Sequence, residues 1–177
     1  MTNQMSAYMK TDSVTVTRTA DVLTWVFSAR PQAMSVYLRF VELGNINGVD
    51  WSDVVMISSI DQRFGIERHS SGNYTAVVKN AAGVSKISGL AAAPDLGDVV
   101  ELLATLTADG KVQLTQSVNG ATATTGTQSA ALSVDQTWGD ATLRLIPTEA
   151  IGVRDLCVVR GVQDLTTMRR LAGTDGK

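Results

Sequence analysis

DVVELLATLTADGKVQLTQSVNG, residues 98–120, decides the fold. In its first half Val100, Leu102, Ala104 and Leu106 alternate with Glu101, Leu103, Thr105 and Thr107. In its second, Val112, Leu114 and Val118 alternate with Lys111, Gln113, Thr115 and Ser117. A period of two is the signature of a strand with one buried face. The stretch is therefore two long strands joined by a tight turn and closed by a second turn signal, Asn119-Gly120. A two-residue Asp109-Gly110 loop would set Leu106 opposite Gln113 and mix the two faces. A three-residue loop of Ala108, Asp109 and a left-handed Gly110 sets Leu106 opposite Val112 and Ala104 opposite Leu114. Register follows the buried face, so the second arrangement is predicted.

Outward from this hairpin the same period recurs. Strands are predicted at 14–17, 22–27, 34–41, 54–60 and 63–68, with a hairpin of 74–79 and 84–88 around Asn80-Ala81-Ala82-Gly83. The small, Thr-rich segment after Gly120 suits an edge strand. A further strand ends near Pro147, with Leu143 and Leu145 inward and Arg144 outward. Residues 152–160 are apolar on both faces around Cys157, as in a central strand. Helical spacing occurs only at 164–171, where Asp164 is a suitable N-cap, Leu165, Met168 and Leu171 share a side, and Gly173 ends the run. The fold class is all-β: an antiparallel two-sheet β-sandwich with one short C-terminal helix, occupying 14–177 as a single domain after an N-terminal arm at 1–13. Its predicted core contains Trp25, Phe40, Leu102, Leu106, Leu114, Leu145 and Cys157.

The chain has 177 residues, enough for one well-buried domain. With 15 basic and 17 acidic residues and no basic cluster, nucleic acid is not expected as a partner. The longest apolar runs are strand-sized, so no transmembrane helix and no membrane partner are expected. The start, MTNQMSAYMKTDS, lacks the basic and apolar stretches of a signal peptide, which points to synthesis in a cytoplasm. Cys157 is the only cysteine, so no internal disulfide forms, and between two apolar neighbours it reads as a small core residue.

Several segments carry a resemblance. A strand, Asp-Gly, then VQLTQSVNG at 112–120 resembles the core hairpin of the concanavalin A-like, or laminin-G-like, jelly roll. PQAMSVYLRFVELG at 31–44, RFGI at 63–66, LAAAP at 90–94 before GDVVEL, and DLTTMRRL at 164–171 resemble the jelly-roll domains of tailed-bacteriophage virion structural proteins. The resemblance implies jelly-roll connectivity and a non-enzymatic module docking on a capsid or tail lattice, made in the host cytoplasm and residing in the virion. Its partners would be other virion proteins and copies of itself. Calcium, the usual ion of laminin-G-like domains, has loop-spaced candidates in Asp50 and Asp53 or in Asp135 and Asp140, but ordinary turn aspartates are the preferred reading. A carbohydrate-binding module is the alternative function.

Chemistry is sparse. His69 is the only histidine, in the loop-like RHSSGN, where a solvated side chain is expected. No single strand offers closely spaced carboxylates on one face: Glu67 and Glu101 read as solitary, while Glu42 and Glu149 lie next to loops. No catalytic residue, cofactor or metal site is therefore assigned, and a glycoside-active enzyme is the weakest reading. Aromatics make up 5% of the chain and fall mostly in strands. Trp51 and Trp138 lie in loop-like contexts and are the candidate glycan platforms, although a plug beneath a loop is the ordinary reading of each. In the polar segment 1–13, Met5, Tyr8 and Met9 are the apolar groups with which an arm would contact another subunit; in the isolated chain the alternative is a flexible arm.

Overall fold

The computed structural model describes residues 33–44, 51–58, 62–89, 91–133, 142–145 and 151–174. Met5, Tyr8, Met9, Trp25, Asp50, Asp135, Trp138, Asp140, Glu149 and the strands expected at 14–17 and 22–27 lie outside these residues. In chain order the elements are β1 (Met34–Glu42), β2 (Trp51–Ser58), β3 (Arg63–His69), β4 (Tyr74–Lys79), β5 (Ser85–Ile87), β6 (Val99–Leu106), β7 (Val112–Val118), β8 (Thr124–Thr125), β9 (Thr142–Leu145), β10 (Ile151–Arg160) and α1 (Leu165–Leu171). Among the described residues they form two five-stranded antiparallel sheets. The first runs β10-β1-β6-β7-β8 and the second β5-β4-β3-β2-β9. No helix among these residues is long and apolar enough to cross a membrane.

The hairpin of β6 and β7 has the predicted register. Leu106 faces Val112 and Ala104 faces Leu114. Gly110 has a φ of 78°. Its N–H donates to the Thr107 carbonyl at 3.0 Å, and Thr107 N–H donates to the Lys111 carbonyl at 2.9 Å, closing the three-residue loop. A Cβ on Gly110 would also fall against the Leu132 carbonyl, with the carbonyl carbon 2.9 Å away. Glycine is thus required here twice, by conformation and by space.

The main core lies between the sheets. Val36, Leu38 and Phe40 of β1 and Leu102, Ala104 and Leu106 of β6 meet Val55, Ile57, Phe64, Ile66, Ala76 and Val78 of the other sheet. Leu114 is buried as expected, while Leu145 is half-buried and packs against the core from β9. Period two fills this interior because alternate side chains share a face.

The other face of β6 is not solvated, which corrects the one-faced reading of that strand. Glu101, Leu103 and Thr105 are buried as well. Helix α1 lies over this face, and Tyr37, Leu103, Cys157, Leu165, Met168 and Ala172 form a second, smaller core. Cys157 is buried there, outside the main core. The same helix explains why β10 looks central in sequence yet pairs only with β1 among the described residues. Leu156 and Val158 face the opposite sheet, and Cys157 and Val159 face the helix.

α1 is bounded as predicted. Asp164 accepts a hydrogen bond from Thr167 N–H at 2.6 Å. After Ala172, Gly173 at φ 70° turns the chain, and the N–H groups of Gly173 and Thr174 return to the carbonyls of Arg170 and Arg169. Those bonds satisfy carbonyls that a helix end otherwise leaves open.

Candidate functional site

β2 and β3 place the most chemically varied side chains together, on the face of their sheet away from the main core. Phe64 and Ile66 point into that core, so alternation sends Arg63, Gly65, Glu67 and His69 to the opposite face. Pairing then sets Trp51 opposite His69 and Asp53 opposite Glu67. The register slips between Asp53 and Val55, so both Val54 and Val55 reach the core while Asp53 stays on the outer face.

Trp51 is therefore not in a loop. It opens β2, remains 39% exposed, and meets the His69 ring edge-on with centroids 4.6 Å apart. His69 ends β3, and is half-buried where a solvated loop side chain was expected. Its Nδ1 lies 2.7 Å from Ser71 Oγ, which donates to Asn73 Oδ1 at 2.7 Å. Asn73 Nδ2 donates to the Ala91 carbonyl at 2.9 Å, fixing this polar turn to the rest of the molecule. Trp138, the second candidate platform, is among the residues not described.

Two positions along from Trp51, Arg63 holds both carboxylates of the next pair. Its Nη1 is 3.1 Å from Asp53 Oδ1, and its Nη2 is 2.7 Å from Glu67 Oε1. Arg63 and Glu67 are four residues apart on one strand face, with Gly65 between them contributing no side chain. A Cβ on Gly65 would meet the β2 backbone, with Met56 Cα at 2.9 Å. Burial pushes the Glu67 carboxyl above its ordinary value; Arg63 opposes this, and the neighbouring Asp53 adds to it. Glu67 is thus not solitary. Its ion-pair partner Arg63 lies four residues back on the same strand, and the second carboxylate, Asp53, comes from β2, which a single-strand pattern does not reveal.

The remaining carboxylates hold the architecture together. Glu42 is buried against Arg68 at 3.2 Å and accepts the Tyr74 hydroxyl at 2.7 Å. This buried pair ties β1 of one sheet to β3 and β4 of the other. Glu101 accepts hydrogen bonds from Arg169 of α1 and, at 2.7 Å, from the Tyr37 hydroxyl. Burial raises the Glu101 carboxyl, but the bonds from Arg169 and Tyr37 outweigh it, and the net displacement is downward. Arg39 and Asp155 add a cross-strand pair at 3.5 Å on this face. Burial also pushes the Tyr37 hydroxyl and the Cys157 thiol up, leaving both protonated and inert near neutrality.

No group of three or more His, Cys, Asp or Glu among the described residues is arranged to hold a metal. Asp53, the described member of the calcium candidates, is engaged by Arg63.

No family model matches the chain, and no curated protein does. Solved structures do. The binding domain of botulinum neurotoxin serotype D superimposes with a TM-score of 0.61 at 13% identity, covering 83% of this chain and 37% of the toxin chain. The CBM40 of a Ruminococcus gnavus IT-sialidase, bound to α2,6-sialyllactose, superimposes with a TM-score of 0.50 at 10% identity, covering 88% of this chain and 97% of that one. This chain therefore spans well under two thirds of the toxin chain and nearly all of the CBM40. What it shares with both is the fold, a concanavalin A-like jelly-roll sandwich.

Proposed function

We propose that this chain is a non-catalytic binding module that holds a glycan against Trp51. The observation that carries the reading is an indole left 39% exposed at the start of a strand. It is bordered by His69 and the hydrogen-bonded turn of Ser71 and Asn73. A sugar ring presents an apolar C–H face and a rim of hydroxyls. An exposed aromatic face beside fixed polar groups matches both. The shared fold alone does not assign a ligand, because fold and function separate readily. Glycan-array screening followed by calorimetry tests the reading. Trp51→Ala should weaken binding by about tenfold or more, the loss of ~1.4 kcal/mol or more that a single aromatic anchor supplies. Undiminished binding by a folded Trp51→Ala protein would remove the site.

The likeness of 31–44, 63–66, 90–102 and 164–171 to virion jelly rolls favours a second, compatible reading. In it the module is carried on a tailed-phage particle and docks there with copies of itself, using Met5, Tyr8 and Met9 of an N-terminal arm. Deleting residues 1–11 should leave a folded domain that enters particles poorly; normal incorporation would make the arm incidental.

A further inference from the structure

We infer that Asp53 and Glu67, sharing the single guanidinium of Arg63, make the Trp51 site select uncharged glycans and reject acidic ones. This deepens the glycan-binding reading and rests on it. Three charged groups meet in the cluster, two carboxylates and one guanidinium, and together they carry one net negative charge. Arg63 is engaged by both partners, at 3.1 and 2.7 Å, and so offers no free cation to a ligand carboxylate.

Position decides which charges a bound sugar experiences. At about 3.3 Å per residue, Asp53 lies about 7 Å along β2 from Trp51. Arg144, on the same face opposite Met56, is about 15 Å away at that rise, and Lys79 lies opposite Arg63, farther still. The screening length at physiological salt is about 8 Å, so the carboxylates act on the ligand and the distant cations are screened. Arg68, although next to His69 in sequence, faces the core and pairs with Glu42. Facing Glu67 from β4 is Thr75, which is uncharged. Among the described residues, His69 is the other ionisable side chain in contact with the indole. An acidic sugar seated on Trp51 would bring its carboxylate beside a negative cluster.

The test is an array carrying each glycan as a matched neutral and sialylated pair, read at pH 8. The strongest Trp51-dependent pair then goes to calorimetry at 20 mM and 300 mM NaCl. The neutral member should bind about fivefold more tightly at low salt, the effect of one unit charge about 8 Å away at an intermediate dielectric. The gap should narrow at high salt. Glu67→Gln, which removes the net charge, should close it at low salt. A sialylated member that binds as well as or better than its neutral counterpart, while Trp51→Ala abolishes both, overturns the selectivity and leaves the site standing. Absence of any Trp51-dependent binding overturns the site and the selectivity together.

Discussion

Replacing Gly110 by alanine probes the decisive hairpin, and the structure separates the cost into two parts. A left-handed alanine costs about 1 kcal/mol relative to glycine. The new Cβ must also displace Leu132, whose carbonyl carbon would lie 2.9 Å away and whose amide nitrogen 3.2 Å. Leu132 is 7% exposed and belongs to the main core, so moving its backbone withdraws part of a buried side chain. Losing about half the burial of a leucine is worth ~1 kcal/mol, and the sum is about 2 kcal/mol. Gly120 supplies an internal control. Its φ is 74°, but a Cβ there would meet nothing within 4 Å. Gly120→Ala should therefore lose only the conformational ~1 kcal/mol. Urea unfolding reads both variants: at a slope of about 2 kcal/mol/M, Gly110→Ala should lower the midpoint by about 1 M and Gly120→Ala by about 0.5 M, with slopes unchanged. Equal losses at the two glycines would mean that Leu132 does not abut the turn.

Two further outcomes follow from the two cores. Leu102→Ala, at a fully buried position of β6, should destabilise by about 2–5 kcal/mol in the same assay; a loss under ~1 kcal/mol would put that face outside the core. Docking of α1 should fail in acid. Glu101 has a carboxyl lowered on folding, so its stabilisation is full above the ordinary value of about 4.3 and disappears as pH falls through the depressed folded value. Cys157, the only thiol and buried at the helix contact, should then react with an acid-competent disulfide reagent before the sandwich unfolds. Arg169→Leu should make the thiol accessible already near neutrality. Labelling that tracks only global unfolding would show that the helix does not open alone.

Local rules made much of this fold legible. The hairpin register, the left-handed Gly110 and both ends of α1 depend on residues within a few positions of one another, and each could be read directly. What could not be read depends on partners far apart in sequence. The polar face of β6 looks solvent-facing until α1, some sixty residues later, lies on it and Arg169 reaches Glu101. In sequence Trp51 follows the turn-rich stretch 44–50 and reads as a loop residue. It is a strand residue because β3 pairs with it. The Asp53–Glu67 pair needs both the identity of the neighbouring strand and a register slip. The spacing of Arg63, Gly65 and Glu67 on one strand face was the trace available.

The path of the chain through the two sheets has a consequence for synthesis. β1 pairs with β6 on one side and with β10 on the other, and β10 ends at Arg160, 118 residues after Glu42. At ribosomal rates of about 5–20 residues per second, that edge waits roughly 6–24 s for its partner. During that interval Val36, Leu38 and Phe40 sit on a strand with open backbone donors and acceptors, the arrangement most apt to recruit strands from other nascent chains. A ribosome that stalls between β7 and β10 would leave a half-built sheet prone to aggregation, so the yield of soluble protein should depend on prompt synthesis of the segment that runs from the end of β7 through β10.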